Sequence, residues 1–89
     1  MLDNQCVRGI VLALIRAYQN INEAEFEETI ALLQSAPDEQ VRDEAASITR
    51  IWEGSKSLDV TTHAKLIRHR LRLIDDGVQR LEVITRPKE

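Results

Sequence analysis

Apolar residues recur along this chain at spacings of three and four, which is the period of an amphipathic α-helix. Near the N-terminus, Val7, Val11, Leu14 and Tyr18 share one helical face, and neighbouring apolar residues extend it around most of the helix. A helix that is apolar on most sides is usually central in a bundle or buried in an oligomer. Four periodic segments predict an all-α fold, a small antiparallel bundle with helices at roughly 4–20, 22–34, 37–53 and 59–84.

Polar residues mark where the first two helices begin. Asp3 can cap the first helix, and Asn22 is a good N-cap for the second. Glu25 follows Asn22 by three residues, as in a capping box. Ile21 before this cap and Phe26 after it predict a hydrophobic staple, in which the two side chains pack together.

The third helix is bounded by proline and glycine. Proline fits the first turn of a helix, so Pro37 predicts a start with Ser35 or Ala36 at the N-cap. Gly54 predicts the end of this helix, because glycine favours the left-handed backbone that follows many helix C-termini. The short connections on either side of the helix favour antiparallel neighbours.

The fourth helix carries the longest apolar pattern. From Val60 to Leu81, apolar residues alternate at spacings of four and three, as in a bundle or coiled-coil seam. Gly77 is the weak point, since glycine inside a helix costs about 1 kcal/mol relative to alanine. An alternative ends the helix at Asp76 and makes residues 78–85 an extended strand. The continuous seam favours the helix, and the residues expected to join two copies are Ile67, Leu71, Ile74, Val78 and Leu81.

The chain is short and mainly aliphatic. Its 89 residues, 43% hydrophobic and 3% aromatic, predict a single helical domain over residues 1–89. A core of this size gives modest net stability, and small proteins often add a partner. A single cysteine cannot form a disulfide within a monomer. A single cysteine, together with an N-terminal sequence that lacks the basic residues of a signal peptide, is typical of a cytoplasmic protein. No membrane segment is expected, because a spanning helix needs about 20 apolar residues.

The net charge of −3 is unevenly distributed. Residues 1–55 contain 4 basic and 10 acidic residues, a net charge of −6. Residues 56–89 contain 8 basic and 5 acidic residues, a net charge of +3. Such an asymmetry can hold two halves of a protein together or direct them to different partners.

The residue types needed for catalysis are few. Cys6 lies in an apolar helix, where a lone cysteine is usually a small core residue. His63 and His69 are six residues apart and do not share a helical face, as two metal ligands would. The sequence contains no Cys-x-x-Cys pair, no Glu-x-x-His pair and no glycine-rich phosphate loop. We therefore expect no enzymatic activity, no cofactor and no metal.

The first half of the fourth helix is basic and amphipathic. At about 100° per residue, one face opposite to the apolar seam carries Thr61, Lys65, Arg68, His69 and Arg72. The plainest interpretation is a solvated face, or one that pairs with the acidic segments 23–28 and 38–44. The other two interpretations are binding of nucleic acid and binding of a protein. Arg70 falls within the apolar arc, where we expect its guanidinium to reach the edge of the seam. The alternative is that Arg70 forms an ion pair within an oligomer.

The segment Val60-Thr61-Thr62-His63, followed by Ile67-Arg68-His69-Arg70-Leu71, resembles recognition helices of bacterial helix-turn-helix regulators. The resemblance implies that the threonines and His63 would meet base edges and that the basic residues would meet phosphates. The stretch from Trp52 to Val60 is long for the tight turn of that motif, and the acidic net charge also argues against DNA binding.

The function expected from these features is that of a non-enzymatic regulatory or adaptor protein, of the kind found among bacterial accessory, phage and plasmid genes. It would act by binding a protein partner, and as a homodimer, because its apolar surface exceeds what 89 residues comfortably bury. The alternative is a small helix-turn-helix-like DNA-binding regulator that uses the basic helix 61–72.

Overall fold

The structure is a computed structural model and describes residues 4–86. It contains four helices: α1 (Asn4–Gln19), α2 (Glu23–Leu33), α3 (Glu39–Lys56) and α4 (Ala64–Ile84). Within residues 4–86 every regular element is a helix, which confirms the predicted all-α bundle. Residues 78–84 lie inside α4, so the alternative of a C-terminal strand is wrong. None of the four helices combines the length and apolar content that crossing a bilayer requires.

The helices form a ring in which each contacts its neighbours in sequence and α1 also contacts α4. Side-chain bonds show that neighbours run antiparallel. Gln34, the C-cap of α2, bonds to Thr49 in α3, whereas Glu27, nearer the start of α2, bonds to Lys56 at the end of α3. The core is aliphatic, and its largest fully buried side chains are Leu14, Leu33, Ile48, Ile74, Leu81, Val11 and Val41. Burial of each such leucine or isoleucine stabilises the fold by about 1.5–3 kcal/mol.

The turn between α1 and α2 is a Schellman motif. The Asn22 N–H donates to the Ala17 carbonyl oxygen at 2.9 Å, and the Ile21 N–H donates to the Tyr18 carbonyl oxygen at 3.3 Å. This motif needs a left-handed residue, and Ile21 supplies it with a φ of 55°. Glycine is usual here, because a β-branched side chain is strained in that conformation. The predicted staple between Ile21 and Phe26 is wrong, since the turn leaves Ile21 84% exposed.

Polar side chains cap α2 and α3. Asn22 caps α2 as predicted, with its Oδ1 accepting from the Glu25 N–H at 3.2 Å. The predicted start of α3 is wrong, because the N-cap is Asp38, whose carboxylate accepts from the Gln40 N–H at 2.7 Å. A carboxylate is a better cap than Ser35 or Ala36, since it both accepts this bond and interacts favourably with the helix dipole. The cap expected from Asp3 lies outside the described residues.

The third helix passes through Gly54 and ends at Lys56, so the predicted end at residue 53 is wrong. The C-cap, Ser57, has φ −88° and ψ −2°, a right-handed conformation that needs no glycine. Gly54 instead provides room, because a Cβ at this position would collide with the guanidinium of Arg70. The half-buried Arg70 therefore lies over the last turns of α3, where the helix dipole favours positive charge.

Gly77 lies buried where α3 and α4 come close together. A Cβ at this position would lie 2.7 Å from Ile48 Cγ1 and 3.0 Å from Ile48 Cδ1. Ile48 is itself 1% exposed, so it fills the space that a side chain at residue 77 would occupy. Gly77 thus allows the backbones of α3 and α4 to approach each other. The resulting packing outweighs the low helix propensity of glycine, so α4 continues through this residue.

The fourth helix begins at Ala64, later than the predicted residue 59. Asp59 forms a separate turn, in which its Oδ1 accepts from the Thr61 N–H at 2.9 Å and its carbonyl oxygen accepts from the His63 N–H at 2.8 Å. Aspartate competes in this way with the helical bonding pattern, so the regular helix starts only after the turn. Val60 is 71% exposed, and the apolar seam does not begin there.

Candidate functional site: a groove between the first and last helices

A groove of about 770 Å³ runs between α1 and α4. Its lining is mainly apolar and includes Ile15, Tyr18, Ile21, Leu71, Val78 and Val83. The groove exists because α1 and α4 contact each other less extensively than the other neighbouring helices do. Concave apolar surfaces with a few polar groups are the usual form of binding sites in proteins.

Three apolar side chains of the groove remain in water. Ile21 is 84% exposed, Val83 is 59% exposed and Leu71 is 36% exposed. A single exposed apolar residue is ordinary, but several around one concavity indicate an interaction site. Ile21 is also the residue with the strained left-handed backbone, and such strain clusters at binding sites.

Tyr18 joins the two walls of the groove. Its hydroxyl donates to the Leu71 carbonyl oxygen at 3.1 Å, which places the end of α1 level with the middle of α4. Burial raises the pKa of Tyr18 above its ordinary value of 10.0, and the negative charge of Asp75 raises it further. The hydroxyl therefore stays protonated and remains a donor at neutral pH.

Trp52 lies at the same part of the groove and is held from two sides. Its ring centroid is 4.9 Å from that of Phe26, and its Nε1–H donates to Glu27 Oε1 at 2.9 Å. Lys56 Nζ donates to the same oxygen at 2.5 Å. The hydrogen bond from Lys56, followed by that from Trp52, lowers the pKa of Glu27. The indole is thus fixed against the core while still lining the groove, which makes it a spectroscopic reporter of occupancy.

Two arginines hold Glu82 near the end of α4. Arg86 makes a two-pronged ion pair with the Glu82 carboxylate, with N···O distances of 2.6 and 2.8 Å. Arg8 of α1 donates to the Glu82 carbonyl oxygen at 2.7 Å and to its carboxylate at 3.3 Å. The hydrogen bonds from Arg86, which have the largest effect, and those from Arg8 lower the pKa of Glu82 to about 2. Arg8 therefore connects the first helix to the last turn of α4, whose carbonyls lack helical partners.

The charged lining of the groove is acidic in balance. The side chains of Glu23, Asp75 and Glu82 are opposed by Arg86 alone. Arg86 is engaged by Glu82, so the described lining offers no other cation to Asp75, whose Oδ2 accepts from Gln79 Nε2 at 2.9 Å. An acidic rim around an apolar floor favours an occupant with basic groups beside an apolar face.

The predicted basic face lies mostly beyond the end of α1. Lys65, Arg68, His69 and Arg72 are exposed on α4, and none of them forms an ion pair with another residue in 4–86. Thr61 is exposed in the Asp59 turn rather than on the helix. The acidic segments 23–28 and 38–44 use other partners, namely Lys56 and Arg80.

The residues predicted as a dimer seam are divided between core and surface. Ile74, Val78 and Leu81 are buried within a single chain. Ile67 is half-buried, and Leu71 is exposed at the groove. Only the first part of the seam is therefore accessible to a second molecule without opening the bundle.

The candidate chemical residues are dispersed. Cys6 is exposed, so its prediction as a core residue is wrong; the buried face of α1 starts one position later, at Val7. Across the described part of the chain, no three or more His, Cys, Asp and Glu side chains are grouped as a metal site would require.

Sequence reasoning did not identify the groove. The surplus of apolar positions around α1 was the available sign, because Ile15 and Tyr18 supply one wall. Whether those residues are covered depends on the distance between α1 and α4 in the folded chain. The periodicity of the sequence does not indicate that distance. A staple at Ile21 requires a backbone without the left-handed turn, and nothing in the residue type of isoleucine signals that turn.

In comparisons with known proteins, no family model, no curated protein and no solved structure matches this chain.

Proposed function

We propose that this chain is a non-enzymatic adaptor or regulatory protein that acts by binding a protein partner in the groove between α1 and α4. The observation that supports this function is the exposed apolar lining around Leu71 and Val83. Covering such surface stabilises a complex by roughly 25 cal/mol for each Å² of apolar area removed from water.

The occupant in this proposal is an amphipathic helix with an apolar face and a basic flank. A cleft between two antiparallel helices accepts a third helix, which inserts apolar residues spaced by three, four and seven positions. The carboxylates of Glu23 and Asp75 on the rim favour lysine or arginine beside that apolar face. In this proposal the protein works as a homodimer, because the exposed first half of α4 is itself an amphipathic helix with basic residues, like the occupant of the groove.

The fluorescence of Trp52 tests the groove directly, because Trp52 is the only tryptophan and lines the site. A model helix of leucine and lysine is titrated into the wild-type chain and into two variants. Leu71→Ser removes an apolar groove residue, and Leu73→Ser is its control, since both leucines are on α4 and are 36% and 38% exposed. We expect Leu71→Ser to weaken binding about tenfold, equivalent to about 1.4 kcal/mol, and Leu73→Ser to have little effect.

Two results would contradict the proposed site. One is the absence of any saturable change in Trp52 emission with the basic helix. The other is an equal loss of affinity in Leu71→Ser and Leu73→Ser, which would mean that binding depends on general surface hydrophobicity and not on the groove.

DNA binding is the second candidate function, and the unpaired basic residues of α4 favour it. Lys65, Arg68 and Arg72 are exposed without acidic partners among residues 4–86 and could contact phosphates. The helix-turn-helix geometry does not add support, because α3 and α4 run side by side, whereas the helices of that motif cross at about 90–120°.

Salt dependence separates this candidate from protein binding. If the basic face binds duplex DNA, affinity falls steeply with salt, and Lys65→Ala or Arg68→Ala lowers the salt slope by about one. Glu39→Ala, on the acidic side of the bundle, serves as a control that leaves the slope unchanged. An absence of DNA retention at low salt would eliminate this function.

A further inference from the structure

One side of α4 carries a continuous polar stripe whose charge changes sign along the helix. Lys65, Arg68, Arg72, Asp75, Gln79, Glu82 and Arg86 are separated by alternating spacings of three and four. These spacings place them on a single helical face. The first three are basic and exposed, whereas the groove-lining part that follows contains Asp75 and Glu82.

The two halves of this stripe have different surroundings. Asp75, Gln79 and Glu82 line the groove beside α1. The bond from Tyr18 to Leu71 marks the level at which α1 ends, so the basic half extends past α1. Residues 64–66, 68 and 69 are accordingly exposed. The molecule therefore presents an uncovered basic helix end next to an unfilled acidic groove, on the same side of the same helix.

We propose that a second copy of this chain fills the groove, with the two α4 helices antiparallel around a twofold axis between Leu71 and Arg72. This inference rests on the proposed function, because it names the amphipathic helix that the groove binds. Around that axis Arg68 of each copy faces Asp75 of the other copy. The two Leu71 side chains, which are exposed in the single chain, lie close to the axis.

Charge determines the direction of this pairing. Antiparallel helices bring Arg68 of each copy to Asp75 of the other, with the two Arg72 side chains beside the axis. Parallel helices would instead align all three basic residues of one stripe with those of the other. A twofold arrangement uses the same surface on both copies, so both grooves and both basic ends are covered at once. The assembly closes as a dimer and leaves no groove open for further copies.

The surface is large enough for a dimer interface. A standard interface takes about 800 Å² from each partner, about one eighth of the 6190 Å² surface of this chain. A helix of 21 residues, about 31 Å long, and the edge of α1 would supply the interface in this arrangement. Because charged residues pair across it, we expect dimerisation to weaken as salt is added.

Charge reversal tests the register of the dimer. Arg68→Glu places two carboxylates at each contact, and Asp75→Arg places two cations there, so each variant alone should dimerise at least ten times more weakly by sedimentation equilibrium. An equimolar mixture of the two variants should recover dimers, because both contacts are then oppositely charged. Arg50→Glu and Asp43→Arg are the controls, since both residues are exposed on α3 and should leave dimerisation unchanged.

The outcomes separate this inference from the proposed function. Recovery of dimers in the mixture supports the twofold arrangement. A dimer that is insensitive to both reversals overturns it, because another surface must then join the copies. A wild-type monomer that still binds the leucine and lysine helix through Leu71 overturns the inference, together with the homodimer of the proposed function, and leaves intact only the binding of a protein partner in the groove. A monomer that binds no such helix eliminates both.

Discussion

Gly77→Ala introduces one methyl group at the contact between α3 and α4, and two effects of opposite sign follow. Alanine favours a helix over glycine by about 1 kcal/mol. Against this, the new Cβ would lie 2.7 Å and 3.0 Å from two side-chain carbons of Ile48. Ile48 is 1% exposed and packed on all sides, so it cannot move away without disturbing the core. The balance of the two effects decides the sign of the change in stability.

The magnitude follows from the depth of the overlap. Inserting a methyl group into a packed core costs about 1–3 kcal/mol, and two contacts at or below 3.0 Å place this site in the upper part of that range. After subtraction of the helix-propensity gain, the free energy of unfolding should fall by about 1–2 kcal/mol. For a domain of this size the melting temperature should decrease by roughly 4–16 °C.

The other two glycines provide matched controls for the same substitution. Gly9 is exposed inside α1, and a Cβ there meets nothing within 4 Å, so Gly9→Ala should show the helix-propensity gain alone. This gain, about 1 kcal/mol, should raise the melting temperature by roughly 4–8 °C. At Gly54 the new methyl group meets the flexible end of Arg70, which can move, so Gly54→Ala should be neutral or stabilising.

Thermal and urea unfolding followed by far-ultraviolet circular dichroism, at one protein concentration, measures all three variants. Ile48→Ala then tests the cause, because it removes the two carbons nearest to the new methyl group and leaves only the 3.2 Å contact with Glu44 Oε1. Gly77→Ala should lower stability in the wild type and raise it in the Ile48→Ala background. If Gly77→Ala stabilises the wild-type chain as much as Gly9→Ala does, the close approach of α3 and α4 is refuted.

Three further predictions concern the ends of α1 and α4. Ile21→Gly should raise the free energy of unfolding by about 0.5–1 kcal/mol, because it relieves a left-handed β-branched residue. Asn20→Gly, where φ is not positive, should not stabilise the chain, and an equal effect of both would contradict the assignment of strain to Ile21. Glu82 has a pKa of about 2 in the folded chain and an ordinary value of 4.5, so its contribution to stability is complete above pH 4.5 and is lost as the pH falls towards 2. The difference in melting temperature between wild type and Glu82→Gln should shrink over that interval, and a difference independent of pH would disprove the role of the ionised carboxylate. Tyr18 is the only tyrosine, so an absorbance titration at alkaline pH should give a pKa above 10.0 in the folded protein and the ordinary value in denaturant. Because the folded pKa is the higher one, stability should decline as the pH rises past 10.0, and a normal pKa in the folded chain would mean that the hydroxyl is not buried beside Asp75.

The fold could be predicted from the sequence because helical periodicity records which positions are buried. Val11, Leu14, Ile74 and Leu81 were placed on apolar faces, and all four are fully buried. Periodicity also decided in favour of a helix across Gly77. The reason that a glycine is present there depends on Ile48, which is distant in sequence and adjacent only in the folded chain.

Boundaries were predicted less well where a side chain competes with the backbone. Asp59 bonds within its own turn and delays the start of α4, and Asp38 displaces the start of α3. At Gly54 the sequence indicated an end to the helix, but the glycine accommodates Arg70 instead. Each of these errors comes from a residue type that has two structural uses, and the choice between them depends on neighbours in space.

The candidate site could be predicted only in part. The exposure of Lys65, Arg68 and Arg72 followed from the amphipathic pattern of α4. The groove did not, because it depends on the separation of α1 and α4. Its strained residue, Ile21, is conspicuous in the structure but in the sequence is one isoleucine among many.

The contact that bounds the groove is also the one that joins the most distant parts of the chain. The other three helix pairs are sequence neighbours, whereas α1 and α4 meet only after a long loop has closed, at a larger cost in chain entropy. Such a contact forms late in folding and belongs to the parts of a protein that open first in the native state. Amide hydrogen exchange should therefore be faster in α1 than in the middle of α3. We expect an occupant bound across both walls to slow exchange in the first helix and the last together.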